Sequence, residues 1–263
     1  MNDANPAPDT NPAAPCPCGM KPMALCTCAG VTPIDNKIRL VILQHPQEQD
    51  RTLGSAPLAV KLFKNAQVKI GLSWPSLSKM LGREAEAAKW GVLYLGSADA
   101  KKLLYLGSAD AKKLLGLPPN AQGGASRQAA YDPLQGAAPA DAPAILALNR
   151  KSEIAENQSA ILRGLEGVIV LDGTWSQAKA LWWRNAWMLK CRRLILNPNA
   201  PSRYGNLRKE PRRDALSTIE AAALLLAHLE HRPEYERAAG EAFAHMLARF
   251  RDVKHTHPEL TRR

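Results

Sequence analysis

GVIVLDGTWSQAKALW, running from Gly167 to Trp182, is the stretch whose reading decides the fold. Val168 to Leu171 is an unbroken apolar run, which marks a strand buried on both faces rather than one alternating between core and water. The run ends at Asp172, and Gly173 permits a sharp turn into a helix expected from about Trp175 to Leu189. Thr174 and Gln177 have the spacing of a capping box that satisfies free amides in the first helical turn. The remaining amides favour an anion such as a carboxylate. Asp172 closes the strand at the place where α/β proteins put ligands, and an acid there orients an ammonium group or accepts a proton.

Outward from this unit the pattern alternates. Lys37 to Gln44 (KIRLVILQ) reads as a second buried strand, ending at His45-Pro46. Pro57 to Ala66 looks helical, Gln67 to Leu72 strand-like, and a charged helix is expected over Ser76 to Lys89. LYLGSADAKKL then occurs twice in tandem, as Leu93 to Leu103 and Leu104 to Leu114, and only one copy is expected to form a core strand. Gly116 to Pro143 reads as a long loop. An apolar run from Ala144, a helix near Glu153 to Gly164, a strand over Arg193 to Leu196, and helices over Ser217 to His228 and Glu234 to Arg251 complete the reading. The fold class is α/β, with a mainly parallel sheet flanked by helices. The expected organisation is a disordered tail over 1–15, a Cys-rich segment over 16–32, a catalytic domain over 33–252, and a basic tail over 253–263.

Charge and cysteines narrow the partners. The chain of 263 residues carries a formal net charge of +11, which favours an anionic partner such as nucleic acid. Arg203, Arg208, Lys209, Arg212 and Arg213 crowd a segment that follows the Asp172 motif, opposed only by Glu210. Four of the five cysteines, Cys16, Cys18, Cys26 and Cys28, fall in two close pairs. Two such pairs in a reducing compartment suggest a structural Zn²⁺ rather than disulfides. Cys191 stands alone and reads as a buried apolar residue. No run approaches the ~20 apolar residues of a membrane span. The first segment lacks the basic and apolar regions of a secretory signal. A soluble, cytoplasmic protein with no membrane partner is the expectation, and the oligomeric state stays open.

Asp172-Gly173-Thr174-Trp175 resembles the D-x-T-W signature of the DTW-domain family. Its context supports the resemblance: the cysteine cluster, the strand ending in His45-Pro46 with Glu48 and Arg51 behind it, and Ser217-Thr218-Ile219-Glu220-Ala221 opening a later helix. The likeness extends from about Cys16 to Glu230. It implies a tRNA-uridine aminocarboxypropyltransferase with S-adenosylmethionine as substrate and tRNA as partner, and a knotted core similar to SPOUT RNA-modifying enzymes. It further implies that Asp172 is catalytic, and that His45, Asp172, Gly173, Thr174, Trp175, Ser217, Thr218 and Glu220 bind the cofactor. Thr174, Ser217 and Glu220 are equally explained as helix caps, and Trp175, Trp182, Trp183 and Trp187 as core. A SPOUT-like methyltransferase and a non-catalytic RNA-binding protein share the same residues.

Overall fold

Apolar strands buried on both faces need helices on both sides, and that requirement organises the molecule. The computed structural model describes residues 11–16, 21–93, 145–148, 155, 157–196, 198, 201–207 and 216–261. Its strands are β1 (Arg39–Gln44), β2 (Ala66–Ile70), β3 (Trp90–Leu93), β4 (Ile145–Leu148), β5 (Gly167–Asp172) and β6 (Arg192–Leu196). They form a six-stranded sheet in the order β2-β1-β5-β3-β6-β4, parallel except for β4 against β6. The helices are α1 (Ala56–Leu62), α2 (Leu77–Leu81), α3 (Gln158–Arg163), α4 (Trp175–Arg184), α5 (Thr218–Glu230) and α6 (Glu234–Thr256).

Alternation along the central strands assigns the helices to faces. Leu40 and Ile42 of β1, with Val168 and Val170 of β5, pack into the cluster that holds α1, α5 and α6. Val41, Leu43, Ile169 and Leu171 point the other way, onto α2, α4 and the turn containing Trp187 and Met188. The two faces are braced differently, since α5 contributes an almost wholly apolar helix and α4 a helix with one buried stripe. Gly167 lies opposite Trp90 across the β3–β5 register. A Cβ there would stand 2.5 Å from the indole ring, so glycine lets the largest fully buried side chain lie flat across β5.

Several expected boundaries shift for local reasons. The charged helix expected over 76–89 is helical only through α2; Gly82, at φ +71°, ends it, and Ala87–Lys89 form a separate 3-10 turn. The helix expected to reach Leu189 stops at Arg184. Asn185, almost fully buried, donates to the carbonyls of Leu72 and Leu181 and accepts from the Trp74 amide, which diverts the chain into a 3-10 turn over Ala186–Lys190. The basic tail expected from residue 253 instead continues α6 to Thr256, followed by a 3-10 turn over Pro258–Thr261, because Phe250 and Val253 bury against Ala24 and Leu25. Residues 11–15 of the expected N-terminal tail join the Cys-rich segment, where the Met23 amide bonds to the Ala14 carbonyl and Pro15 bridges Pro22. Leu93, the first residue of the duplicated sequence, lies in β3; the remainder of both copies, with Gly96 and Gly107 and the loop over 116–143, lies outside the described residues.

Candidate active site

β1 and β5 end side by side, with Gln44 in register with Asp172. The His45 amide closes the ladder onto the Asp172 carbonyl at 3.0 Å. Both side chains therefore emerge on the α5 face at the sheet's carboxyl edge. There the Gln44 carboxamide donates to Asp172 Oδ2 at 2.7 Å, and the Thr218 hydroxyl donates to Oδ1. Asp172 keeps 9% of its surface in contact with solvent. Each carboxylate oxygen has one built-in donor and a remaining lone pair, so the group is held in one orientation while still able to accept from a ligand.

α5 aims Thr218 at the acid. Ser217 caps the helix by accepting from the Glu220 amide, and Glu220 reaches back to the Ser217 amide at 2.9 Å. The Ser55 hydroxyl accepts from the Ile219 amide at 3.2 Å, tying the start of α5 to the start of α1. The positive end of α5 thus faces the carboxylate, a favourable placement for a negative charge. The Glu220 carboxylate also accepts from the Ser202 hydroxyl at 2.6 Å and the Arg203 amide at 2.9 Å. Ser217 and Glu220 consequently act inside the protein, fixing the first turn of α5 and the segment at Ser202 and Arg203 to each other.

Gly173 and Thr174 shape the other wall. A Cβ on Gly173 would come within 2.9 Å of Gln177 Cβ and 3.5 Å of His45 Cβ, so glycine allows the turns after β1 and β5 to close on each other. The expected capping box is present, with the Thr174 amide donating to Gln177 Oε1 at 2.6 Å. Gln177 Nε2 then donates to Gln47 Oε1 at 3.0 Å, coupling α4 to the turn over 46–48. His45 Nδ1 accepts from the Gln47 amide at 3.3 Å, so the neutral ring carries its proton on Nε2. Trp175, at the first position of α4, is 41% exposed. Asp172, Thr218, His45, Gly173, Thr174 and Trp175 therefore gather at one edge.

Of the expected RNA contacts, Arg203 is exposed and lays its guanidinium over Gly240 of α6, where a Cβ would stand 2.9 Å from Nη2. Arg208, Lys209, Arg212 and Arg213 lie outside the described residues. Gln44 is a partner of Asp172 that sequence reading misses. Its only signal is polarity at the end of an apolar run, and its partner appears only once the β1–β5 register is known.

The cysteines assemble as a second centre. Cys16 Sγ lies 2.8 Å from Cys26 Sγ and 4.0 Å from Cys28 Sγ, and the donor atoms of all three fall within 4.8 Å of one another. The Cys28 amide points at Cys26 Sγ at 3.4 Å. Tetrahedral zinc with bonds of about 2.3 Å separates its sulfurs by about 3.8 Å, so the Cys16–Cys28 spacing suits such an ion and the Cys16–Cys26 pair would open by about 1 Å to hold it. Cys18 lies outside the described residues. Lys21 fastens the segment to the body by donating to the carbonyls of Thr52 and Gly54, and burial pushes its ammonium down to about 8. Cys191 is buried as expected, its thiol pushed up to about 12 by loss of solvent.

The fold and site together define an α/β protein that holds an anchored carboxylate at the carboxyl edge of a mainly parallel sheet, with a cysteine cluster suited to a metal at its N-terminal end. The chain belongs to the DTW-domain family, whose model matches residues 14–251. It is 38% identical over 63 residues to tRNA-uridine aminocarboxypropyltransferase 2 of Macaca fascicularis, a match covering 24% of this chain and 21% of that protein. The protein of that name from Mus musculus gives the same figures. That from Drosophila melanogaster is 40% identical over 67 residues, 26% of each chain. These matches span only between about a fifth and a quarter of the relatives' own length. No solved structure matches. Among the described residues, no helix is long and apolar enough to cross a membrane.

Proposed function

We propose that this chain is a tRNA-uridine aminocarboxypropyltransferase, moving the 3-amino-3-carboxypropyl group of S-adenosylmethionine to N3 of a tRNA uridine. The observation that carries the reading is the Asp172 carboxylate fixed between Gln44 and Thr218 at the end of β5. S-adenosylmethionine, when bound, supplies a γ carbon already attached to a sulfonium leaving group. The N3–Cγ bond forms as the Cγ–S bond breaks, the sulfur keeps the electron pair as methylthioadenosine, and the imide proton passes to solvent.

The protein's task is orientation. Asp172 receives the ammonium of the aminocarboxypropyl group on the lone pairs that Gln44 and Thr218 leave available. His45 Nε2–H and the backbone around Gly173, Thr174 and Trp175 form the rim that seats the rest of the molecule. Ser217 and Glu220 act as positioning residues, holding Thr218 and the Ser202–Arg203 segment in place. Arg203, with Arg208, Lys209, Arg212 and Arg213, grips tRNA phosphates, so affinity falls steeply as salt rises. Cys16, Cys26 and Cys28, with Cys18, would hold a structural zinc that cross-links a segment with little core of its own. A SPOUT-like threaded core is part of this reading, favoured by a chain that returns to insert β5 between β1 and β3 and β6 between β3 and β4. A cytoplasmic setting is part of the same reading.

The test is mass spectrometry of nucleosides from tRNA incubated with S-adenosylmethionine and either the parent chain or Asp172→Asn. The parent adds a 3-amino-3-carboxypropyl group to uridine, and the variant adds none while folding and binding tRNA normally. A methyl adduct would replace this reading with a methyltransferase. Absence of any adduct would replace it with a non-catalytic RNA-binding protein.

A further inference from the structure

The tryptophans near the site divide into two groups. Trp182 and Trp187 are buried at 9% and 8% exposure, in the cluster beneath the sheet. Trp175 and Trp183 remain 41% and 71% exposed. Trp183 therefore contributes little to the core, although indole is the side chain with most to gain from burial.

Their positions follow one line. Trp175, Lys179 and Trp183 stand at i, i+4 and i+8 of α4, within a sector of roughly 80° and along a rise of about 12 Å. Lys179 is exposed between the two rings, and Arg184 and Lys190 are exposed just beyond. Between Gly173 and Lys209 the sequence contains no Asp or Glu. The ridge starts at the residue following the Thr174 cap, directly beside the site, and leads away from it along a segment whose charged side chains are all basic.

We infer that this ridge of α4 is a stacking surface for unpaired nucleotides of RNA. It rests on the proposed transferase reading and extends it by naming the part of the substrate that is held: single-stranded nucleotides flanking the modified uridine. Two aromatic platforms with a cation between them suit unstacked bases joined by phosphates, because every base presents a π face and each linkage a negative charge. Duplex RNA keeps its bases stacked on one another and cannot use the indoles.

The experiment measures binding of the full chain to a short fluorescein-labelled oligouridylate and to a blunt RNA duplex of equal length, at fixed salt. Trp183→Ala weakens single-strand binding about five- to a hundredfold, the range expected for loss of one base–aromatic stack. Duplex binding stays at the parental level. Trp183→Phe retains single-strand binding, which a bulk or folding defect would not allow. Lys179→Glu weakens both ligands, as loss of a phosphate contact does. Unchanged single-strand affinity in Trp183→Ala overturns the inference. So does an equal loss for the duplex, or a change from dimer to monomer with RNA binding intact, which would make the ridge a self-interface. A parent that stacks oligouridylate through Trp183 yet modifies no tRNA overturns the transferase reading alone. A parent that modifies tRNA while Trp183→Ala binds the oligonucleotide normally overturns the stacking surface alone.

Discussion

Asp172 divides its two oxygens between donors from different parts of the chain, Gln44 on β1 and Thr218 on α5, so its orientation reports on three elements at once. Hydrogen bonds to a charged group contribute about 1.5–3 kcal/mol each. Thr218→Val and Gln44→Leu should each lower kcat/KM for tRNA modification by roughly ten- to a hundredfold, because the carboxylate survives but swings free. Steady-state kinetics alongside urea unfolding checks this. If either variant retains parental kcat/KM with Asp172 still required, its donor does not orient the acid. At this scale the sequence was partly legible. Asp172 and the Thr174 cap announce themselves by type and spacing. Gln44 does not, since pairing across β1 and β5 depends on register, which no local pattern encodes.

Strands and helices were legible where a single physical cause shaped them. The apolar run over 168–171 and the Ser217–Glu220 capping box needed no tertiary information. α2 and α4 ended earlier than their patterns suggested, because Gly82 and the buried side chain of Asn185 overrode helical propensity. Gly167 belongs to the same category of tertiary constraint. It pairs with Trp90, whose ring has no room to withdraw. Gly167→Ala should cost about 1–3 kcal/mol, the usual penalty for overpacking a tight core. Urea denaturation should show a lower midpoint with little change in slope. Gly82→Ala acts differently: its penalty arises from a φ of +71° in open space, and roughly 1 kcal/mol is expected. Equal stability of parent and Gly167→Ala would mean that β3 and β5 are not packed through this ring.

Across the whole molecule, the cysteine segment and the site share a mechanical path. Lys21 holds the carbonyls of Thr52 and Gly54, the next residue, Ser55, receives the Ile219 amide, and Thr218 beside it holds Asp172. Arg249 of α6 adds a second tie at the Ala24 carbonyl, 2.7 Å away. The sequence disclosed the cysteine pairs but not this path, whose links are backbone carbonyls that any residue supplies. Removing the metal proposed for Cys16, Cys26 and Cys28 should therefore loosen the segment first and the core last. Alkylation by iodoacetamide at pH 8, followed by mass spectrometry, separates the two. Before chelation neither group of thiols reacts quickly; after chelation Cys16, Cys26 and Cys28 are modified while Cys191 is spared, because burial keeps it protonated up to about 12. The same burial sets a sign for stability. The unfolded thiol ionises near its ordinary value of 9.0 and the folded one only near 12, so the unfolded state loses its proton first, and stability falls as pH rises through that window. Cys191→Ala should remove that component of the alkaline decline. Rapid alkylation of Cys191 in the chelated but folded chain would show that the segment and the core open together, and that the path through Lys21 and Ser55 carries more of the fold than its hydrogen bonds suggest.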